Sequence, residues 1–329
     1  MSSSEPDRPF KILLFGLGAI GGFYAYILGK NKNVSLSVIA RSNYDAVKQN
    51  GIKLESDIHG KQTASIDHVY KSIQDISTTF DYIVCAHKAI NYATVPPLFN
   101  PVTNDQTTFV IIQNGVGNEE PFRITFPSNT IISCVTWTGA VQKTPGTITH
   151  NTNENIQIGL FPNLNLDAQL EQTRRLQTFA GFLEQGGTQY SIESDIQIAR
   201  WEKVVWNAAW NPLTTLTGLP VQNWLRTSPE AETFTRQLME DVIAVGRRLG
   251  VLLKDGLADQ LIAKVVAMET PIYSSMYQDA QSGRPLEMEV IVGFPMQKAN
   301  ELGMEVPGLK AIYALTNAVN LRLTAGAKE

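Results

Sequence analysis

The chain has 329 residues, 43% of them apolar and 18% charged, with 27 Lys and Arg against 31 Asp and Glu for a formal charge of −4. That length exceeds the roughly 250–300 residues at which one hydrophobic core stops growing, so two domains are expected; the mild acidic excess excludes, as main occupations, binding nucleic-acid phosphates and lying on an anionic membrane. No stretch approaches the roughly 20 apolar residues of a membrane span, and the polar, acidic, proline-containing start, Met1–Pro9, predicts a disordered tail rather than a signal peptide.

Taken in chain order, short apolar runs bounded by turn residues predict strands at Lys11–Phe15, Val34–Ala40, Asp81–Ala86, Thr107–Gln113 and Ile131–Val135, with helix-like stretches between several of them. Alternation of that kind implies parallel strands joined by crossover helices. After about Ser191 the texture turns helical, with 3.6-periodic segments at Asp195–Trp210, Pro229–Leu249, Thr270–Leu302 and Pro307–Leu323, punctuated by Gly250, Gly303 and Pro307. A doubly wound α/β domain over 1–193 is therefore expected, followed by an all-helical domain over 194–329. The two cysteines, Cys85 and Cys134, lie far apart in apolar runs and read as buried free thiols of a reducing, cytoplasmic compartment.

The first run, Lys11–Phe15, passes directly into Gly16-Leu17-Gly18-Ala19-Ile20-Gly21-Gly22 and then a helix-like stretch, Phe23–Gly29. Strand, GxGxxG and helix in that order form the dinucleotide-binding fingerprint of a Rossmann-type domain. Gly16 permits the tight turn, Gly18 admits a pyrophosphate close to the backbone, and Gly21 lets helix and strand pack while the helix N-terminus offers N–H groups to the anion. The alternative is a glycine-rich turn with no ligand. The second strand ends at Arg41-Ser42-Asn43, where a site for NAD would place an acidic residue against the ribose hydroxyls; a cation and hydroxyls suit a 2′-phosphate and hence NADP(H). Against that stands Arg41 as a solvated charge, with Asp45 as the ribose partner instead.

Ligands of a doubly wound sheet sit beyond the carboxyl ends of its strands. Three further ends follow: His87-Lys88-Ala89, where Lys88 can reach a phosphate or ribose or lie on an exposed loop; Asn114-Gly115-Val116-Gly117, a plain Asn-Gly turn or an amide and close backbone for substrate or ribose; and Thr136–Ala140, a turn or one wall of a nicotinamide pocket. The only histidines are His59, His68, His87 and His150, so 151–329 lacks the histidine on which many 2-hydroxy acid dehydrogenases depend. No metal-ligand cluster and no G-x-S-x-G elbow is present, so no metal is expected.

The helical half instead carries Lys203, Asn207 and Asn211 at i, i+4 and i+8, one stripe of a helix otherwise rich in Trp, Val and Ala. Such a stripe is a solvated polar face or the lining of a polar cavity, because burying it without partners is costly. In a cavity the ammonium is a general acid for the alkoxide that forms when hydride reaches a ketone, and partial burial lowers its pKa toward neutrality. Ser275, in Ser274–Ala280, can donate to a substrate carboxylate. Glu287, beyond the break at Gly283-Arg284-Pro285, can orient the lysine or bind ribose and substrate hydroxyls.

Gly16–Gly22, Asn114–Gly117, Lys203-x3-Asn207-x3-Asn211-Pro212 and Ser274-Ser275-Met276-x-Gln278-Asp279 with Glu287 downstream together resemble the ketopantoate reductase (2-dehydropantoate 2-reductase) family from Lys11 to about Leu323. The resemblance implies a Rossmann domain joined to a helical one with catalysis in the cleft between them. It implies Lys203 as proton donor, substrate contacts from Asn114, Asn207, Asn211 and Ser275, and NADPH contacts from Arg41, Lys88, Asn114, Ala140 and Glu287. Two positions depart from the pattern: Val221, followed by Gln222 and Asn223, stands where the family typically has a further substrate-binding Asn, and Pro295 falls inside Val290–Leu302, where it should kink the helix.

The reading is NADPH-dependent reduction of a 2-keto acid, 2-dehydropantoate first, by an oxidoreductase acting on a CH–OH group, with catalytic Lys203 and Glu287 and the dinucleotide on Gly16, Leu17, Gly18, Ala19, Ile20 and Gly21. The rivals are another branched or aromatic 2-keto acid, suggested by Val221 and Trp137, and a non-catalytic NADP(H) sensor or scaffold. The expected partner is the small keto acid, without nucleic acid or membrane, in a chain whose later helices can supply a homodimer face.

Overall fold

Strand β1 (Phe10–Phe15) sends Ile12 and Leu14 to one side and Leu13 to the other, and all three are fully buried. A strand apolar on both faces needs cover on both, which places it centrally in an α/β layer. The computed structural model of the protein describes residues 8–151, 153–163 and 169–326. Of the tail expected to be disordered, residues 1–7 lie outside the described residues, while Arg8 pairs with Asp81 at 2.8 Å. Cα packing divides the chain into two compact units, one holding the residues up to Gln113 and Asn118–Ile196, the other Asn114–Gly117 and Gln197–Glu329.

In the first unit β1 is followed by α1 (Ala19–Gly29), β2 (Val34–Ile39), α2 (Tyr44–Asn50), β3 (Lys53–Ser56), β4 (Gly60–Thr63), β5 (His68–Tyr70), β6 (Tyr82–Cys85) and β7 (Thr108–Ile111). Then come α3 (Glu119–Thr125), β8 (Thr130–Thr136), β9 (Ala140–Thr144), β10 (Thr147–His150), β11 (Ile156–Leu160), α4 (Gln169–Gly186) and β12 (Tyr190–Ile192). Eight strands make one sheet in the order β12-β11-β8-β7-β6-β1-β2-β5. Pairing is parallel except between β8 and β11, so the sheet is mixed rather than wholly parallel. Its centre is the doubly wound arrangement: winding runs outward from β1 through β2 to β5 and, in the other direction, through β6, β7 and β8, which puts the switch point between β1 and β6.

One face is closed by α1 and α4, with Phe23, Ile27, Phe179 and Leu183 over Ile12, Leu14, Val38 and Val84; the other by Phe99, Phe122 and Ile73 over Leu13, Ile39, Ile83 and Phe109. Cys85 and Cys134 are buried free thiols, as expected. A helix between β6 and β7 is replaced by 3-10 turns at Tyr92–Thr94 and Pro96–Val102, because prolines at 96, 97 and 101 remove the N–H groups an α-helix requires. A second sheet of order β4-β3-β10-β9, absent from the sequence reading, packs on α1, where Gly22 leaves room for Ile148: a Cβ there would meet that side chain at 2.5 Å.

The second unit is helical: α5 (Ile196–Thr217), α6 (Val221–Leu225), α7 (Pro229–Arg248), α8 (Leu257–Val266), α9 (Ser275–Gln281), α10 (Phe294–Glu301) and α11 (Pro307–Gly326). Helix α7 begins after Ser228 with proline in its first turn and Glu230 and Glu232 near the positive end of its dipole, and ends on Arg247 and Arg248. Asp241, buried on α7, accepts from the Leu309 N–H at 3.0 Å and so caps α11.

The helical segment expected over Thr270–Leu302 begins only at Ser275 and breaks at Gly283-Arg284-Pro285, as expected. The chain leaves α9 at Ser282, runs without regular structure past Pro285, and re-enters helix through a π turn at Glu289–Gly293 that continues into α10. Pro295 stands in the first turn of α10, just after the π turn. Within the π turn the Phe294 N–H bonds the Glu289 carbonyl, five residues back. The same spacing from Val290 leads to Pro295, which has no N–H, and the Val290 carbonyl instead accepts from the Val116 N–H at 2.9 Å.

Candidate active site

At the carboxyl edge of the first unit's sheet, Phe15 aligns with Ile39 on one side and Cys85 on the other, so residues 16, 40–41 and 86–88 emerge together. Gly16 has φ +102°, and a Cβ on it would lie 2.2 Å from the His87 backbone; a Cβ on Gly21 would lie 1.9 Å from the Gly16 carbonyl oxygen. Neither position admits a side chain. Gly18 is different: it is exposed, and a Cβ there would meet nothing within 4 Å. It is the N-cap of α1, with no side-chain cap hydrogen bond among the described residues, and no first-turn residue is acidic. A helix N-terminus with open backbone before it fits a pyrophosphate, so the residues present fit a dinucleotide.

The sequence pointed to Arg41-Ser42-Asn43 as one polar group, and the structure divides it. Asn43 is buried and donates to the Leu17 carbonyl at 2.8 Å, as Gln142 of β9 does at 3.3 Å, so both amides brace the glycine loop. Gln142 carried no sequence signal, because β9 was not anticipated. Arg41 and Ser42 are exposed, and Asp45 sits in the first turn of α2, where its charge suits the helix dipole. Lys88 is exposed beside His87. Burial and, next, the charge of Arg41 push the His87 imidazole down to about 4, so it is neutral at physiological pH and positive charge at this edge comes from Arg41 and Lys88. At the end of β8, Tyr24 shares hydrogen bonds with Thr136 at 2.8 Å and Thr138 at 3.2 Å, Trp137 donates to Gln157 at 3.2 Å, and Ala140 opens β9 opposite His150.

In the second unit, Lys203, Asn207 and Asn211 lie on α5 as the 3.6 periodicity predicts, Lys203 partly exposed and both asparagines buried. Lys203 Nζ donates to Asn114 Oδ1 at 2.9 Å, bringing together two residues 89 positions apart. Burial is the largest cause pushing the ammonium down to about 7; the Arg200 guanidinium acts in the same direction and the Glu287 carboxylate opposes it. Lys203, Asn114 and Glu287 therefore form one electrostatic group. The buried Asn211 Nδ2 has no acceptor among the described residues. Next to it, Ser274 shares a 2.6 Å hydrogen bond with Thr214 and contacts the Asn211 carbonyl at 3.4 Å, which holds the exposed Ser275 at the start of α9 beside this end of the stripe.

Val221 is fully buried, and its N–H donates to the Ile272 carbonyl at 2.9 Å. Gln222 does not replace the missing amide, because its side chain is committed to the Thr270 carbonyl at 2.9 Å and the Ile272 N–H at 3.0 Å. Asn223 is exposed. Arg200 was missed by the sequence reading: it is 2% exposed and donates to the Gly115 carbonyl at 2.6 Å. No helix among the described residues is long and apolar enough to cross a membrane.

Comparison with known proteins identifies the family. A family model described as ketopantoate reductase PanE/ApbA matches residues 12–163, and one described as ketopantoate reductase PanE/ApbA C terminal matches residues 195–320. A 2-dehydropantoate 2-reductase of Nostoc sp. is 28% identical over 311 residues, covering 93% of each chain. The crystal structure of a 2-dehydropantoate 2-reductase from Methylococcus capsulatus is 31% identical, with a TM-score of 0.83 over 95% of this chain and 97% of that one. A D-mandelate dehydrogenase solved with NADH and anilino(oxo)acetate shares the fold at 19% identity, with a TM-score of 0.82 over 95% of this chain and 99% of its own. Matched by family models over both its units, the chain belongs to the ketopantoate reductase family, a family of nicotinamide-dependent oxidoreductases that act on a CH–OH group.

Proposed function

We propose that this protein uses NADPH to reduce a 2-keto acid, 2-dehydropantoate first among them, to the 2-hydroxy acid. The observation that carries the reading is a lysine whose pKa is brought to about 7 while its Nζ is aimed by a 2.9 Å bond to Asn114. On this reading Gly16–Gly21, Arg41, Lys88, Asn114, Ala140 and Glu287 hold the dinucleotide, and Asn114, Asn207, Asn211 and Ser275 hold the substrate. The bound nicotinamide supplies the hydride.

Lys203 gives its proton to the oxygen of the former keto group. An acid with a pKa near the working pH is present in its protonated form and still gives up the proton readily, and it returns to the protonated form after each cycle by exchange with water. Glu287 holds the ammonium charged to the extent that Arg200 does not oppose it. The Asn211 amide, buried and lacking an acceptor, and the Ser275 hydroxyl take the substrate carboxylate, and Asn207 takes a further oxygen. Arg41 beside the glycine loop selects the 2′-phosphate of NADPH over the free hydroxyl of NADH.

A second reading, reduction of a different branched or aromatic 2-keto acid, is favoured by Val221. A buried substrate hydroxyl with no amide opposite it costs roughly 1–3 kcal/mol, about 5- to 150-fold in kcat/KM. NADPH oxidation measured over a panel of small 2-keto acids that includes 2-dehydropantoate ranks the two. Lys203→Ala should bind NADPH normally and lose most turnover; an unchanged kcat removes Lys203 from the mechanism. Cofactor binding with no oxidation by any acid points to a sensor, and equal KM values for NADPH and NADH defeat the role given to Arg41.

A further inference from the structure

Two cations on successive turns of α5 grip consecutive residues of one short loop. Lys203 Nζ donates to the Asn114 side chain at 2.9 Å; Arg200, three residues earlier and so on the same face, donates from Nη1 to the Gly115 carbonyl at 2.6 Å. From the other side the Val290 carbonyl accepts from the Val116 N–H at 2.9 Å, and Gly115, at φ +93°, lies so close to Val290 that a Cβ would stand 2.5 Å from it. The loop has no room to shift without breaking one of these bonds.

A guanidinium that is 2% exposed, one turn from an ammonium, is a poor choice for stability alone. Two like charges at that spacing repel, so the reach that carries the guanidinium to the Gly115 carbonyl also sets a cation against the ammonium. We propose that Arg200 is the positioning residue of the proton donor: by holding the Gly115 carbonyl it fixes the Asn114 amide oxygen against Lys203, and it places a like charge one turn from the ammonium. This rests on the reading of Lys203 as the acid. The charges acting on Lys203 are Arg200 from its own helix and Glu287 from the segment before the π turn, and they act in opposite directions. Arg200 makes the proton easier to release, and Glu287 keeps it from being lost altogether.

Two substitutions separate grip from charge. Arg200→Gln removes the charge and, two atoms shorter than arginine, the grip with it; kcat should fall and the alkaline limb of kcat/KM for reduction should move upward by on the order of one pH unit. Arg200→Lys keeps the charge but falls short of the carbonyl; the limb should stay in place while kcat falls by about 10- to 100-fold with NADPH affinity unchanged. A purely structural arginine would lower kcat or thermal stability in both variants and move the limb in neither.

The ionisation of Lys203 can also be read without turnover, from the pH dependence of its labelling by an acetylating reagent, followed by mass spectrometry of the folded protein. A midpoint for Lys203 that is the same in Arg200→Gln and the unsubstituted protein overturns the charge role. A kcat for Arg200→Lys within twofold of the unsubstituted enzyme overturns the grip, and that arm stands if Arg200→Gln does not fold. Should the unsubstituted protein reduce no 2-keto acid, the functional reading fails while the labelling midpoints still decide whether Arg200 sets the state of Lys203.

Discussion

Replacing Lys203 by methionine should make the protein more stable at neutral pH while abolishing its activity. The ammonium is brought from 10.5 to about 7 in the folded chain, chiefly by burial. At 1.36 kcal/mol per tenfold change in proton affinity, that corresponds to roughly 5 kcal/mol against holding the charged form in the fold. Lys203 keeps some solvent contact and a 2.9 Å bond to Asn114, so screening and the loss of that bond reduce the gain from Lys203→Met to about 1–3 kcal/mol.

The sign follows from proton counts. Below pH 7 both the folded and unfolded lysine are charged, and the cost of burying the charge is felt in full. Between 7 and 10.5 the unfolded chain binds more protons than the folded one, so the stability of the unsubstituted protein rises with pH across that window and the advantage of methionine shrinks. Urea unfolding followed by tryptophan emission reads the right part of the molecule, since Trp201, Trp206, Trp210 and Trp224 lie in the helical unit and only Trp137 in the other. A Lys203→Met protein less stable than the unsubstituted one at pH 7, or a difference that does not narrow between pH 7 and 10.5, would refute the argument that the fold holds a destabilised cation at this site.

The ionisation of Lys203 also sets the direction of the reaction with pH: kcat/KM for reduction should fall above about pH 7, and oxidation of the 2-hydroxy acid, which needs the neutral amine, should rise through the same pH. Glu287→Gln removes the charge that holds the proton, and both limbs should move to lower pH in initial-rate profiles. Gly18→Ala puts a methyl group into open space at the N-cap of α1, so the melting temperature should hold while NADPH affinity, measured by fluorescence titration, drops; Gly16→Ala, whose Cβ meets the His87 backbone at 2.2 Å, should lose both. Pro295→Ala restores an N–H for the Ile291 carbonyl and so favours α pairing over the π turn that leaves the Val290 carbonyl to Val116; kcat should fall with the dissociation constant for NADPH unchanged.

The parts of this molecule that were legible in the sequence are those whose physics is local. Strands β1, β6 and β8 read as strands because burial on both faces leaves continuous apolar runs, and Gly16–Gly22 read as a dinucleotide turn because strand, glycines and helix are contiguous. The second sheet was not legible: β4 is Gly-Lys-Gln-Thr, exposed throughout, and β3 finds its parallel partner β10 more than 90 residues later. No local periodicity marks a strand whose partner supplies its reason to exist. The break in Thr270–Leu302 was legible in Gly283-Arg284-Pro285, but the π turn required knowing that the Val116 N–H would take the Val290 carbonyl.

The same division runs through the site. Lys203, Asn207 and Asn211 were visible because they repeat every four residues on a helix otherwise apolar, whereas Arg200, one turn earlier, looked like any other polar residue. Its meaning depends on a carbonyl 85 residues away. What distinguishes it in the fold is its placement: a buried guanidinium acts on the Lys203 ammonium from one turn away while the Glu287 carboxylate acts the other way, and hydrophobic packing would not select such charges. Local preference and global fold agree along most of this chain, and the place where they disagree costs stability that the proposed proton transfer would give a reason to keep. The residues that make the fold worse at that point are, for that reason, the strongest candidates for making the enzyme work.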